Sequence, residues 1–306
     1  KMNEIEISIV VPCYKSEATL EQLAALVLAD PFLSKRHFEL ILVVDGSPDN
    51  TGKVARAIAE TDPRVRAIQL SRNFGQHNAL VAGISKANGS IIVTMDDDLQ
   101  HKPSEIEKLV GPLMAEEVSV VYGIPLNEEH GYVRSLFSRL VKRLIALGGF
   151  PNATKISAFR GFKASTLPNI GEVSDPNVQL DVLLGWATDS ITSVQVEMDH
   201  RTAGRSNYSY AALFHYAMNL ITGYSSKPLR FVTALGFVST GIALVLAVVL
   251  VAEYALTTNS PTGFTSTVCI IAFFAGAQML SLGLLGEYLA RMHDRNSGKP
   301  TFRIKG

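Results

Sequence analysis

The sequence predicts an α/β fold, a mostly parallel sheet with helices on both faces, followed by two transmembrane helices. Three observations lead to this. Over the first 125 residues, short β-branched runs alternate with helical stretches. Near the other end, two apolar runs of 22 and 23 residues, 231–252 and 264–286, carry no charged side chain. Charged residues make up only 18% of the chain and the mean hydropathy is +0.20, below the ~25% charge usual for soluble domains.

The elements follow in order. Ile5–Cys13 reads as the first strand and Ser16–Ala29 as a helix that Ser16 could cap. Phe38–Asp45 is a second strand and Asn50–Glu60 a second helix. Val65–Ser71 is a third strand, with a helix from Gly75 to about Asn88. Ser90–Asp96 is the fourth strand, before a helix opened by Pro103 that runs to Glu116, and Val118–Gly123 is the fifth strand. In such a sheet, ligands bind beyond the carboxyl ends of the strands. Those ends carry Pro12-Cys13-Tyr14, Asp45-Gly46-Ser47, Ser71-Arg72-Asn73 and Asp96-Asp97-Asp98.

The 28 basic and 28 acidic residues cancel, and there is no low-complexity run. That excludes a disordered, collagen-like or nucleic-acid-coating chain, so no nucleic-acid partner is expected. Cys13 and Cys269 provide neither a disulfide framework nor metal-ligand spacing, which fits a reducing compartment.

At ~1.5 Å per residue each apolar run crosses the ~30 Å hydrocarbon core. Lys227 and Arg230 precede the first run, while Arg291, Arg295, Lys299, Arg303 and Lys305 follow the second. The connecting segment has no Lys or Arg. The positive-inside rule then places both termini, and everything before residue 230, in the cytoplasm, in a multi-pass protein of the cell (inner or plasma) membrane. No secretory signal is expected in residues 1–7, which carry Glu4 and Glu6. The expected division is residues 1–228, 229–290 for the spans and 291–306 as a basic cytoplasmic tail.

Residues 125–228 are less regular. From His130 to Gly171 there are seven basic residues and no Asp or Glu. Within it, 134–150 places Leu136, Phe137, Leu140, Leu144 and Leu147 on one helical face, as for a helix lying in a membrane interface or a basic helix packed on the sheet. The aromatic-rich 210–224 is a second such candidate.

Three adjacent carboxylates, Asp96-Asp97-Asp98, repel one another unless a cation neutralises them. Asp96 and Asp98, with the amide of Gln100 two residues on, offer hard oxygen ligands suited to Mg²⁺ or Mn²⁺, and such an ion would bridge a diphosphate. The alternative is a solvated acidic loop capping the helix at Pro103. Asp45 at a neighbouring strand end favours the first reading.

VVPCYKSE (10–17), VVDGSPDNT (43–51), LSRNFGQHNALVAGI (70–84) and MDDDLQHKPSEI (95–106) resemble family 2 glycosyltransferases. With SAFRGF (157–162), DHRTAGRSNYS (199–209), SSKPLR (225–230) and QMLSLGLLGEYLAR (278–291), they are similar to the polyprenyl-phosphate branch. That branch includes dolichyl-phosphate mannose synthase and the bacterial undecaprenyl-phosphate glucosyltransferases. The resemblance implies a GT-A (Rossmann-like) fold and inverting, metal-dependent transfer of one sugar from a nucleotide-diphosphate donor to a polyprenyl phosphate. It implies that Pro12, Tyr14, Glu17 and Asp45 line the nucleoside pocket. Asp96, Asp98 and Gln100 would hold the metal, with Asp97 near the donor ribose or sugar. Arg160, Arg201 and Arg205 would face the donor diphosphate and acceptor phosphate, since a planar guanidinium fork binds phosphate oxygens in pairs.

The sequence also departs from the family pattern. Lys15 stands where Asn is usual, Ala158 where the branch often has an Asp, and Arg205 where Lys or Glu is usual. The Gln-x-x-Arg-Trp motif of processive synthases is missing around the only tryptophan, Trp186, which argues for single transfer. A polyprenyl phosphate is already ionised and needs no base, although Asp181 or Asp175 could orient it. Gly276, Ala277, Ser281 and Gly283 would allow close helix packing, so a homo-oligomer is part of the reading.

Two rival readings fit the sequence less well. A nicotinamide-binding domain fails because the turn after the first strand has no glycine. A non-catalytic accessory subunit of lipid-linked sugar export is opposed by the complete Asp-x-Asp-x-Gln. His77, His101, His200 and His215 form no pair at metal spacing and read as structural.

Overall fold

The computed structural model describes residues 5–126, 156–199, 224–225, 227–257 and 263–305. They form two compact units. One holds the sheet, its helices and the residues from Asp294 onward; the other holds the two long C-terminal helices up to His293.

The sheet has seven strands: β1 (Ile7–Cys13), β2 (Phe38–Val44), β3 (Val65–Gln69), β4 (Ile91–Thr94), β5 (Val120–Pro125), β6 (Arg160–Lys163) and β7 (Ile191–Val196). Their order across the sheet is β3-β2-β1-β4-β6-β5-β7. The first four run parallel, and β5 and β7 are parallel to each other. Between them β6 runs antiparallel to both β4 and β5. The alternating pattern foretold the parallel half; β6 and β7 carried no legible strand signal.

β1 and β2 are buried along their whole length, which is why both read as near-continuous apolar runs. The two-residue period of a strand splits their side chains between two cores. Ile7, Ile9 and Val11 with Leu40 and Leu42 face α1 (Leu20–Leu28), α2 (Thr51–Thr61) and α4 (Ile106–Met114). Val10, Ile41 and Val43 face α3 (Gln76–Ile84) and α5 (Leu180–Ala187). α3 approaches so closely that a Cβ on Gly83 would lie 2.4 Å from Val10 Cγ1. Buried polar groups on this sheet are matched: Glu39 accepts from Ser8 Oγ at 2.7 Å, from the Asn88 amide at 2.6 Å and from Arg66 at 2.8 Å.

One local expectation is corrected. Ser16 does not cap α1; the helix starts at Leu20 after Thr19, which makes no side-chain capping bond. The Ser16 hydroxyl is committed elsewhere, to Asp97.

α6 (Lys227–Thr257) and α7 (Phe264–Asn296) are the two long helices. Windows within them, Lys227–Leu246 and Phe273–Asn296, are long and apolar enough to cross a membrane. Their apolar side chains are largely bare, Phe237 being 76% exposed. Surface of this kind is stable in hydrocarbon rather than water. The amphipathic candidates at 134–150 and 210–224 lie outside the described residues, apart from Tyr224.

Candidate active site

The carboxyl ends of β1, β2 and β4 meet in one place. After β1 the chain turns through Lys15 at φ 58°, a left-handed conformation that Asn tolerates better than Lys. This gives a physical reason for Asn being usual there. The Lys15 amide donates to Ser47 Oγ at 2.8 Å and the Ser16 amide to Thr51 Oγ1 at 2.8 Å, joining the β1 loop to the β2 loop. Tyr14 is exposed and Pro12 buried. Glu17 accepts from the Asn50 amide at 2.8 Å, at the start of α2. Asp49 accepts from Ser47 Oγ and Thr51 Oγ1, each at 2.6 Å. Burial works against its charge, but these donors hold the carboxyl below the usual carboxylate range.

Asp45, only 3% exposed, accepts from the Phe74 amide at 2.7 Å and the Gly75 amide at 2.8 Å, one on each oxygen. It fixes the loop that opens α3. Gly46, at φ +56°, lies against that loop so tightly that a Cβ would sit 2.1 Å from the Arg72 carbonyl carbon. Gln76, delivered by the same loop, donates from Nε2 to Asp96 Oδ1 at 2.7 Å.

Beyond β4 the three aspartates part company. Asp97 turns inward to Ser16 Oγ and to the Tyr14 amide at 3.2 Å. Burial pushes its carboxyl up, with Asp96 adding to the rise against those hydrogen bonds. Asp96 and Asp98 stay half-buried beside Gln100, whose amide donates to Asp98 Oδ1 at 3.2 Å. Leu99 makes the reversal at φ 64°. The Asp96 amide donates to Nδ1 of His101, which stacks on Phe159 with ring centres 4.9 Å apart. Burial pulls the His101 pKa down to about 4, so the ring is neutral and carries its proton on Nε2.

Next to this lies a buried polar knot. Arg160, 1% exposed, donates from Nε to Thr94 Oγ1 at 3.0 Å and pairs with Asp181, which also accepts from Tyr122 Oη at 3.0 Å. Burial opposes the Arg160 charge, but Asp181 more than compensates and Asp96 adds to the effect. Burial and the Asp181 charge push the Tyr122 hydroxyl up. The structure thus joins two residues, Arg160 and Asp181, that the sequence placed separately on the substrate phosphates. Asp175 pairs with Arg295 at 3.0 Å.

Arg201 and Arg205 lie outside the described residues. The segment before them is stitched to the aspartate loop: Asp199 donates its amide to the Gln100 carbonyl at 3.0 Å and pairs with Lys102 at 3.1 Å. Sequence reasoning gave Ser16 only a capping role and assigned none to Gln76, Thr94 or Tyr122. Ser16 and Gln76 lay inside quoted motifs; Thr94 and Tyr122 carried no signal apart from their neighbours.

Among the described residues no three His, Cys, Asp or Glu side chains form a ready metal cage. Two half-buried carboxylates and an amide nonetheless fit Mg²⁺ or Mn²⁺, which are bound by one or two carboxylates plus substrate phosphates rather than by an all-protein cage.

The sequence profile of glycosyl transferase family 2 matches residues 8–166. An undecaprenyl-phosphate 4-deoxy-4-formamido-L-arabinose transferase of Shewanella sediminis is 30% identical, the match covering 98% of this chain and 91% of the relative. One from Pseudomonas fluorescens is 31% identical, covering 98% and 89%. The crystal structure of glucosyl-3-phosphoglycerate synthase from Mycobacterium tuberculosis, in complex with Mn²⁺, UDP and glucosyl-3-phosphoglycerate, shares the fold. Its TM-score is 0.52 at 22% identity, covering 71% of this chain and 78% of that one.

Proposed function

The chain belongs to glycosyltransferase family 2, and on that premise we propose that it moves a single sugar, with inversion, from a nucleotide-diphosphate sugar onto a polyprenyl phosphate, undecaprenyl or dolichyl, at the cytoplasmic membrane face. One observation carries this reading: Asp97 is turned in to brace the β1 loop, while half-buried Asp96 and Asp98 beyond β4 take amide partners instead, Asp96 the Gln76 side chain and Asp98 the Gln100 backbone. A solvated helix-capping loop would not separate its three carboxylates in this way. The relatives named for undecaprenyl phosphate support that acceptor.

In this reading an ionised phosphate oxygen of the lipid attacks the anomeric carbon from the face opposite the diphosphate. The carbon–oxygen bond to the diphosphate breaks, and the nucleoside diphosphate leaves. Asp96, Asp98 and Gln100 hold the divalent ion, which when bound neutralises the departing diphosphate. The Mn²⁺ and UDP of the mycobacterial structure support such a pairing. Tyr14 offers an exposed ring to the base, and Glu17 and Asp45 fix the loops around it. Arg201 and Arg205 grip the two phosphates, while Asp181 acts through Arg160, whose charge neighbours Asp96.

Residues 1–228 form the catalytic part, 229–290 the membrane hairpin and 291–306 the basic tail. The last residues pack in the same unit as the sheet, which supports an even number of crossings with both on one side of the bilayer. The Lys and Arg flanks favour the cytoplasm for that side, and the small residues of α7 fit a homo-oligomer. The test is mass spectrometry of the lipid extract after incubating purified protein with undecaprenyl phosphate and a panel of nucleotide sugars. The expected product is a lipid-linked monosaccharide phosphate formed only with a divalent ion. Chains of several sugars, or full turnover in excess chelator, would overturn the reading.

A further inference from the structure

α7 does not end the fold. After Asn296 the chain turns at Gly298, φ +70°, and its last residues return to the free edge of the sheet. Ile304 bridges Leu70 in antiparallel fashion, the Ser71 amide donates to the Arg303 carbonyl at 2.8 Å, and the Lys305 amide donates to the Gln69 carbonyl at 2.8 Å. Phe302 packs on the core that contains Ile68 and Leu70. Thr301, 4% exposed, uses one hydroxyl twice: it donates to the Val173 carbonyl at 2.5 Å and accepts from the Asp175 amide at 3.0 Å.

These contacts converge on two loops, 70–76 and 173–177. Asn78 ties the loops together, donating to the Phe74 carbonyl at 2.7 Å and the Pro176 carbonyl at 2.8 Å. The first loop is the one that Asp45 holds through Phe74 and Gly75 and that presents Gln76 to Asp96. Up to Gln76, where α3 begins, it forms no helix or strand, so its order depends on pins. Asp45 pins it on the site side and the tail pins it at its base.

We infer that residues 297–305, with Thr301 as the central contact, are a positioning element for the donor site: they hold loop 70–76 in the conformation that sets Gln76 against Asp96. The inference rests on the donor site proposed above.

Thr301→Val in the full chain removes the donor to Val173 and the acceptor for the Asp175 amide while keeping the shape; Thr301→Ser keeps both. Deletion of 297–306 with the same residues supplied as a synthetic peptide is the second variant. Expected for Thr301→Val are faster hydrogen exchange at amides 71–76 and a donor KM raised about tenfold, the scale of losing one or two such contacts. Acceptor KM should be unchanged, Thr301→Ser should behave as wild type, and the peptide should restore the deleted chain. Unchanged exchange at 71–76 in both the Thr301→Val and deletion variants, or equal rises in donor and acceptor KM, would overturn the inference. If wild type transfers no sugar from any donor, the proposed function falls, whereas exchange at 71–76 still decides on the strap.

Discussion

Two carboxylate centres flank the end of β4, and their surroundings divide the work. Among the described contacts, Asp96 accepts from the Gln76 side-chain amide and Asp98 from the Gln100 backbone amide, and both stay half-buried. Around Asp181 the partners are a guanidinium and a phenol, and its side chain is nearly enclosed with that of Arg160. Half-buried carboxylates close in sequence are suited to recruit a cation, whereas an enclosed carboxylate paired with arginine is suited to hold a shape. The same residue type serves both ends because environment, not identity, sets the available chemistry.

The largest effect should come from breaking the enclosed pair. Asp181→Ala leaves Arg160 buried without its paired carboxylate and should lower stability by about 3–5 kcal/mol, read as a fall in the thermal unfolding midpoint. Replacing both with apolar residues, Arg160→Met with Asp181→Leu, should recover most of that loss. A single variant as stable as wild type would erase the contrast between the two centres.

Asp98→Asn should do the reverse. It keeps the side-chain volume but removes a charge facing the ion, so turnover should drop at least about a hundredfold, roughly 2.7 kcal/mol of barrier, with the unfolding midpoint unmoved. Steady-state kinetics across a metal titration measures it; turnover within threefold of wild type, by order of magnitude, would remove Asp98 from the metal site.

A paired arginine test sharpens the comparison further. Arg201→Lys keeps the charge but loses the planar fork and should slow transfer about tenfold without loss of stability. Arg160→Lys should instead lower stability. If Arg201→Lys matches wild type while Arg201→Ala does not, Arg201 is only a point-charge contact.

The smallest effect is in pH. His101 is buried and His77 half-buried, and desolvation holds the pKa of each near 4, below the unfolded value of 6.5. The unfolded chain therefore takes up their protons first: this contribution is full above about 6.5, declines as pH falls toward 4 and then levels. His101→Gln keeps an acceptor for the Asp96 amide and should flatten part of that decline in the midpoint-versus-pH curve. An unchanged slope would mean that His101 is not buried in its neutral form.

Much of the parallel half of the fold was legible because its signals are local. β1 and β2 are buried on both faces, so burial wrote itself into continuous apolar runs, and strand ends fell within a residue or two of those expected. β4 is shorter than read, since Met95 and Asp96 have already left the ladder. β6 was not legible: Arg160–Lys163 is four residues with a charge at each end, and only insertion between β4 and β5 makes it a strand. β7 was missed because its half-exposed ITSVQV carries no clear alternation.

By itself, the sequence determined that the sheet precedes two long apolar helices, the strand ends that gather the candidate site and the triple aspartate, because each depends on neighbours within a few residues along the chain. Tertiary structure alone decided that Asp97 turns inward to Ser16, that Asp45 serves the amides of Phe74 and Gly75, that Arg160 and Asp181 neutralise each other, and that Thr301 reaches the loop behind the site. Each of these joins residues that packing, and not the order of the chain, brings together: the direction and partner of a polar side chain are set by which buried groups lack a hydrogen bond once the elements have closed on one another.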